Sequence, residues 1–198
     1  MQNEELSQQQ SIAIIESMIS KAKNQFSENG FIYLLWGWVI LICSLGQFIL
    51  LHFVHAERHY LVWMLTWPTV VVQMIYLYKT RRVRQVRTYT EDIIGYVWMT
   101  FVILMFLIGV LTGRTNNNAN FGLINVIFLA LYGMPTFLSG IILRFRPLVI
   151  GGIGCWILAV AASFVVYEYR ILILGVAVII AWIIPGYMLR ARYKKQNA

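Results

Sequence analysis

All three histidines of the chain fall within eight residues, at His52, His55 and His59, with Glu57 and Arg58 between them. Imidazole is the commonest metal ligand, and spacings of three and four residues put three rings on one face of a helix. A helix continuing through this stretch could therefore offer three nitrogen donors to zinc or copper. The competing reading is that the three residues stand at a helix end, where the chain must turn towards Tyr60 and the rings face water.

A second group is neutral and lies inside long apolar runs. Gln73 and Asn125 are costly to expose to lipid, so both should point inward and pair across helices. Pro135, within Gly133-Met134-Pro135-Thr136, opens the backbone ladder beside a hydroxyl and frees carbonyls able to hold a solute or an ion. Gln73, Asn125, Pro135 and Thr136 thus define either a polar path or a set of packing contacts with a kink. A third group is cationic: Lys79, Arg81, Arg82, Arg84 and Arg87 could hold anionic lipid at about 1 kcal/mol per cation, or touch a cytoplasmic protein.

Other chemistries fail on residue types. G-x-S-x-G and H-E-x-x-H are absent, and no aspartate pair lies in an apolar run, which argues against a hydrolase or an intramembrane protease. Gly151, Gly152 and Gly154 imitate a phosphate loop, but no strand precedes them and no lysine follows. A small-residue ladder for helix packing, Gly151, Cys155, Ala159 and Ser163, accounts for that stretch. Carboxylate-driven transport is disfavoured because the apolar runs hold no acid. No cofactor is expected.

The elements that must position these groups are membrane helices. Of 198 residues 60% are hydrophobic and 12% charged, and the mean hydropathy is +0.70. A soluble chain carries about twice that share of charge. Apolar runs at 31–54, 60–78, 93–113, 121–143, 148–167 and 171–189 contain no Asp, Glu, Lys or Arg. Each has about the 20 residues that cross a hydrocarbon core as a helix. An all-α fold of six transmembrane helices is predicted, arranged as three antiparallel hairpins whose returning members hold Pro68, Pro135 and Pro185. The two cysteines, Cys43 and Cys155, lie inside runs and read as free, buried thiols.

Lysines and arginines number 2, 1, 5, 1, 2, 1 and 4 along the seven non-membrane segments. This alternation places both termini in the cytoplasm by the positive-inside rule. The net charge of +8 therefore reads as a topology signal rather than a nucleic-acid surface. Residues 1–30 form a cytoplasmic segment in which Ile12, Ile15, Ile19, Ala22 and Phe26 make an apolar stripe, predicting an amphipathic helix that rests on lipid, docks a partner or self-associates. Residues 31–189 are the six-helix domain and 190–198 a basic cytoplasmic tail.

Several stretches resemble a family of small uncharacterised bacterial integral membrane proteins: Glu16-Ser17-Met18-Ile19, Asn29-Gly30 with Trp36-Gly37-Trp38, Gly133-Met134-Pro135-Thr136-Phe137-Leu138-Ser139-Gly140, and Arg146-Pro147-Leu148 before Gly151-Gly152. The resemblance implies a bacterial inner membrane and supplies no activity or site residues. Three functions are consistent with the residues. The leading one is a non-enzymatic accessory or regulatory subunit acting through a cytoplasmic or membrane protein partner or as a homo-oligomer. The others are a transporter or channel for a neutral or lipophilic solute, and a metal-binding protein centred on the histidines.

Overall fold

The computed structural model describes the backbone of residues 29–83, 89–114 and 118–197, and the side chains of 29–80, 90–114 and 123–195. The stripe from Ile12 to Phe26 and residues Arg84 and Arg87 lie outside the described residues, as do the side chains of Arg81 and Arg82. Described residues form helices and turns and no strand. Helix α1 spans Phe31–His52; a 3-10 segment, His59–Leu65, leads into α2, Thr66–Val83; α3 spans Tyr89–Arg114. Helices α4 and α5 span Asn118–Ile142 and Arg146–Ser163. The last span is composite, with α6 at Tyr167–Val178, a π-helical turn at Ile179–Ile183 and α7 at Ile184–Asn197.

Six of these helical stretches are long and apolar enough to cross a membrane. They coincide with the six apolar runs except near the fifth connection, which falls at Phe164–Val166 rather than around Arg170. Arg170 lies inside α6, and its Nε donates to the carbonyl of Val165 at 2.7 Å, satisfying a backbone acceptor at the turn. Glu168 sits in the first turn of α6, where the helix dipole favours an anion.

Lipid tails are as apolar as leucine, so the helices associate through close packing rather than through hydrophobic burial. The most extensive packing lies between α4 and α5, then between α1 and α6 and between α3 and α4. It therefore crosses the expected hairpin boundaries as well as following them. Gly152 permits the α4–α5 approach: a Cβ there would lie 2.6 Å from the Cβ of Phe137. On the adjoining face of α5, Gly151 abuts Ala181 of the π turn, and Cys155 and Ala159 are buried in the same line. Ser163, the last rung of that ladder, is exposed and bonds to its own helix at the Val160 carbonyl.

At the start of α1, Gly30 has φ 70, a left-handed conformation that disfavours any side chain. The same residue lies against the backbone carbonyl of Gly186, so α1 enters the bundle in direct contact with α7. Asn29 Oδ1 accepts from the Phe31 N–H at 3.0 Å, satisfying one of the donors left free at a helix start. The Asn29-Gly30 break thus sets both the cap and the register of α1. Two helices are less enclosed than the rest. Only 6% of the membrane window containing α2 and 11% of that of α3 is buried within the protein, against 56% for the last span.

Candidate functional site

The histidines occupy one end of α1, and the helix does not continue through them. It ends at His52; His55 lies in the connection with φ 52, and His59 opens the 3-10 segment. The common helical face that would have brought three imidazoles together does not exist. His52 Nδ1 lies 3.0 Å from Glu168 Oε2 on α6, and its ring stacks on Phe48 with centroids 5.3 Å apart. His59 Nδ1 lies 3.0 Å from Gln47 Nε2.

Gln47 fixes the chemistry of that second contact. Its Oε1 accepts from Trp63 Nε1 at 2.6 Å, and an indole nitrogen can only donate, so the amide orientation is determined. Nε2 must then donate to His59, whose Nδ1 is an acceptor with its lone pair engaged. Among the described residues no group of three or more His, Cys, Asp or Glu side chains is placed to hold a metal ion. The same end is tied further by the Ser44 hydroxyl, which donates to the Ile171 carbonyl, and by Cys43 Sγ, 3.4 Å from the Val62 carbonyl. Its arrangement anchors α1, the 3-10 segment and α6 to one another.

Two members of the second group, Pro135 and Thr136, lie in the middle of the bundle. Helix α4 runs unbroken through Pro135, whose missing N–H leaves the Leu131 carbonyl without its intrahelical donor. Thr136 is fully buried; its hydroxyl donates to the Tyr132 carbonyl at 2.8 Å and accepts from Trp182 Nε1 at 2.8 Å. Trp182 belongs to the π turn, where the Ile184 N–H reaches back five residues to the Ile179 carbonyl. Pro185 follows at once and cannot donate to the Ala181 carbonyl, so the widened turn and the proline form one irregularity. Tyr132, Trp98 and Phe101 pack round it with neighbouring ring centroids 5.0–5.7 Å apart. Ser139, one turn beyond Thr136, is fully buried, and its Oγ has no partner among the described residues.

Gln73 and Asn125 are not brought to that place. Gln73 Oε1 accepts from Trp36 Nε1 at 2.6 Å, tying α2 to α1, and Asn29 Nδ2 donates to the Tyr76 hydroxyl at 2.5 Å near the same interface. Asn125 Nδ2 is buried with no hydrogen-bond partner among the described residues. Lys79 is exposed. No close backbone approach joins α2 to α3 among the described residues, although they are consecutive. Instead α1 faces both, with Trp36 bonded to α2 and Tyr33 against Trp98 of α3 at 5.8 Å.

No protein-family model matches the chain, and no curated protein or solved structure matches it. The functional reading therefore rests on geometry. Sequence reasoning did not single out Glu168 as the partner of His52, nor Gln47 and Trp182 as partners in the two networks. A buried glutamine or an indole N–H in an apolar run signals that a partner is required, but the partner is chosen by the packing of distant helices.

Proposed function

We propose that this protein is a non-enzymatic subunit of a bacterial inner membrane that acts through a protein partner, in an accessory or regulatory capacity. The observation that carries this reading is that α2 and α3, consecutive in the chain, make no close backbone approach to each other among the described residues and keep most of their surface outside the bundle. Trp67, Met74, Phe106 and Leu111 are at least 65% exposed on them. Helix association in a bilayer draws on close packing, and two consecutive spans whose outward faces lack it leave room for a helix from another chain. The polar residues of the bundle support the same reading, because Gln47, Gln73 and Thr136 are already engaged in bonds between helices. Both termini are assigned to the cytoplasm, where the N-terminal stripe and the basic connection from Lys79 to Arg87 extend the docking surface.

The test is photocrosslinking in native membranes from Met74 on α2, Phe106 on α3 and Ser20 in the N-terminal segment, with Ile157 on α5 as the reference. The expected result is one and the same protein captured from Met74 and Phe106 and not from Ile157. Lipid alone at all positions would overturn the reading.

Transport of a neutral or lipophilic solute is favoured by a different observation, the coincidence of Pro135, the π turn and the unpartnered Ser139 hydroxyl at one depth of the bundle. Solute uptake into proteoliposomes that is lost in Ser139→Leu would establish it.

A further inference from the structure

The stripe Phe31, Leu34, Leu35, Trp38 and Val39 on α1 and the stripe Tyr187, Arg190, Ala191 and Lys194 on α7 line two adjoining hollows of about 290 and 300 Å³. Both hollows include Tyr187 and Arg190, so they adjoin as one surface groove that begins between α1 and α7 and continues along α7 alone. Each stripe repeats at three- and four-residue spacing, which keeps its members on one helical face. The register of the helices orients the groove. Gly37 packs on Ile183 and Gly30 on Gly186, so successive residues of α1 climb into the bundle while α7 descends past the start of α1.

One end of the groove is consequently apolar and the other cationic. The walls at Leu35, Trp38 and Val39 belong to the membrane span, while Arg190 and Lys194 stand beyond Gly30, at the level where the chain leaves the apolar region. Arg190 and Lys194 are one helical turn apart, about 6 Å between Cβ atoms, which suits a single anion lying between them. Neither has a carboxylate partner among the described residues, and no acidic residue lines either hollow. Tyr187 is half exposed where the two parts meet, the position an interfacial aromatic takes beside a headgroup.

We propose that this groove is a binding site for one anionic phospholipid, with an acyl chain along Leu35, Trp38 and Val39 and the phosphate between Arg190 and Lys194. The site is separate from the unpaired α2 and α3 faces and stands whether or not these bind a partner. It differs from the general attraction of a basic tail to a membrane in having a shaped apolar half.

The full-length protein in neutral detergent, titrated with phosphatidylglycerol or phosphatidylcholine and followed by native mass spectrometry, tests the site. Phosphatidylglycerol should be retained in preference to phosphatidylcholine. The double variant Arg190→Gln/Lys194→Gln should bind it about thirtyfold more weakly, at about 1 kcal/mol per cation. Leu35→Trp, which fills the apolar half and keeps both cations, should weaken binding about tenfold, and Arg114→Gln near the opposite end of the bundle should leave it unchanged. Loss in Arg190→Gln/Lys194→Gln without loss in Leu35→Trp means surface electrostatics only and overturns the proposal. Unchanged retention in the double variant overturns it too, and so does displacement of the lipid by millimolar inorganic phosphate.

Discussion

Trp182 Nε1 donates to Thr136 Oγ1 at 2.8 Å, joining the π turn of the last span to the turn of α4 that contains Pro135. Two backbone irregularities 46 residues apart in the chain thus meet through one side-chain bond. The bond is asymmetric. Thr136 has a second use for its hydroxyl in the Tyr132 carbonyl, whereas the indole has no other partner in view.

That asymmetry predicts unequal losses. Trp182→Phe leaves Thr136 still bonded to Tyr132 and should lower stability by about 0.6 kcal/mol, the usual value of a bond between membrane helices, plus a small packing term. Thr136→Val strands a buried N–H and should cost about 1–3 kcal/mol. Unfolding in mixed micelles gives both values, and the order Thr136→Val worse than Trp182→Phe is the outcome to check.

The glycines separate in the same assay. Gly152→Ala places a Cβ 2.6 Å from Phe137 Cβ and should destabilise by about 1–3 kcal/mol through overpacking. Gly30→Ala adds the strain of φ 70 to a clash with Gly186 and should cost at least about 1 kcal/mol. Gly95→Ala on α3 meets nothing within 4 Å and should be neutral or stabilising by up to about 1 kcal/mol from helix propensity.

Zinc or copper should leave thermal stability unchanged, because His59 Nδ1 accepts from Gln47 and His52 faces Glu168. A metal bound at a hundred times its dissociation constant would add about 2.7 kcal/mol, a shift that melting curves resolve readily. Such a shift, abolished by His55→Ala, would restore the three-histidine centre.

The topology expected from the charge pattern is open to direct measurement. If both termini are cytoplasmic, a membrane-impermeant maleimide should label Glu57→Cys on intact cells and Lys195→Cys only after permeabilisation. The native Cys43 and Cys155 are buried and should stay silent in both conditions. Labelling in the reverse order would invert the assignment.

The sequence by itself determined the class of the protein, because a run of about twenty residues without charge has few stable states other than a membrane helix. It also placed the start of the first span at residue 31, where the apolar run begins directly after Asn29-Gly30. The boundary near Arg170 was not legible: a cation ordinarily marks a loop, and only the free carbonyl of Val165 made it useful inside a helix. Nor was the fate of the histidines. Their spacing fits a shared helical face, yet the helix stops at His52, and Glu168 and Gln47 then claim two of the three rings from elsewhere in the fold. Helix formation is written locally, in backbone hydrogen bonds and apolar length. Which helices touch, and hence which polar groups become partners, depends on close approaches such as Gly30 on Gly186 and Gly152 on Phe137, and those exist only once the whole bundle is assembled.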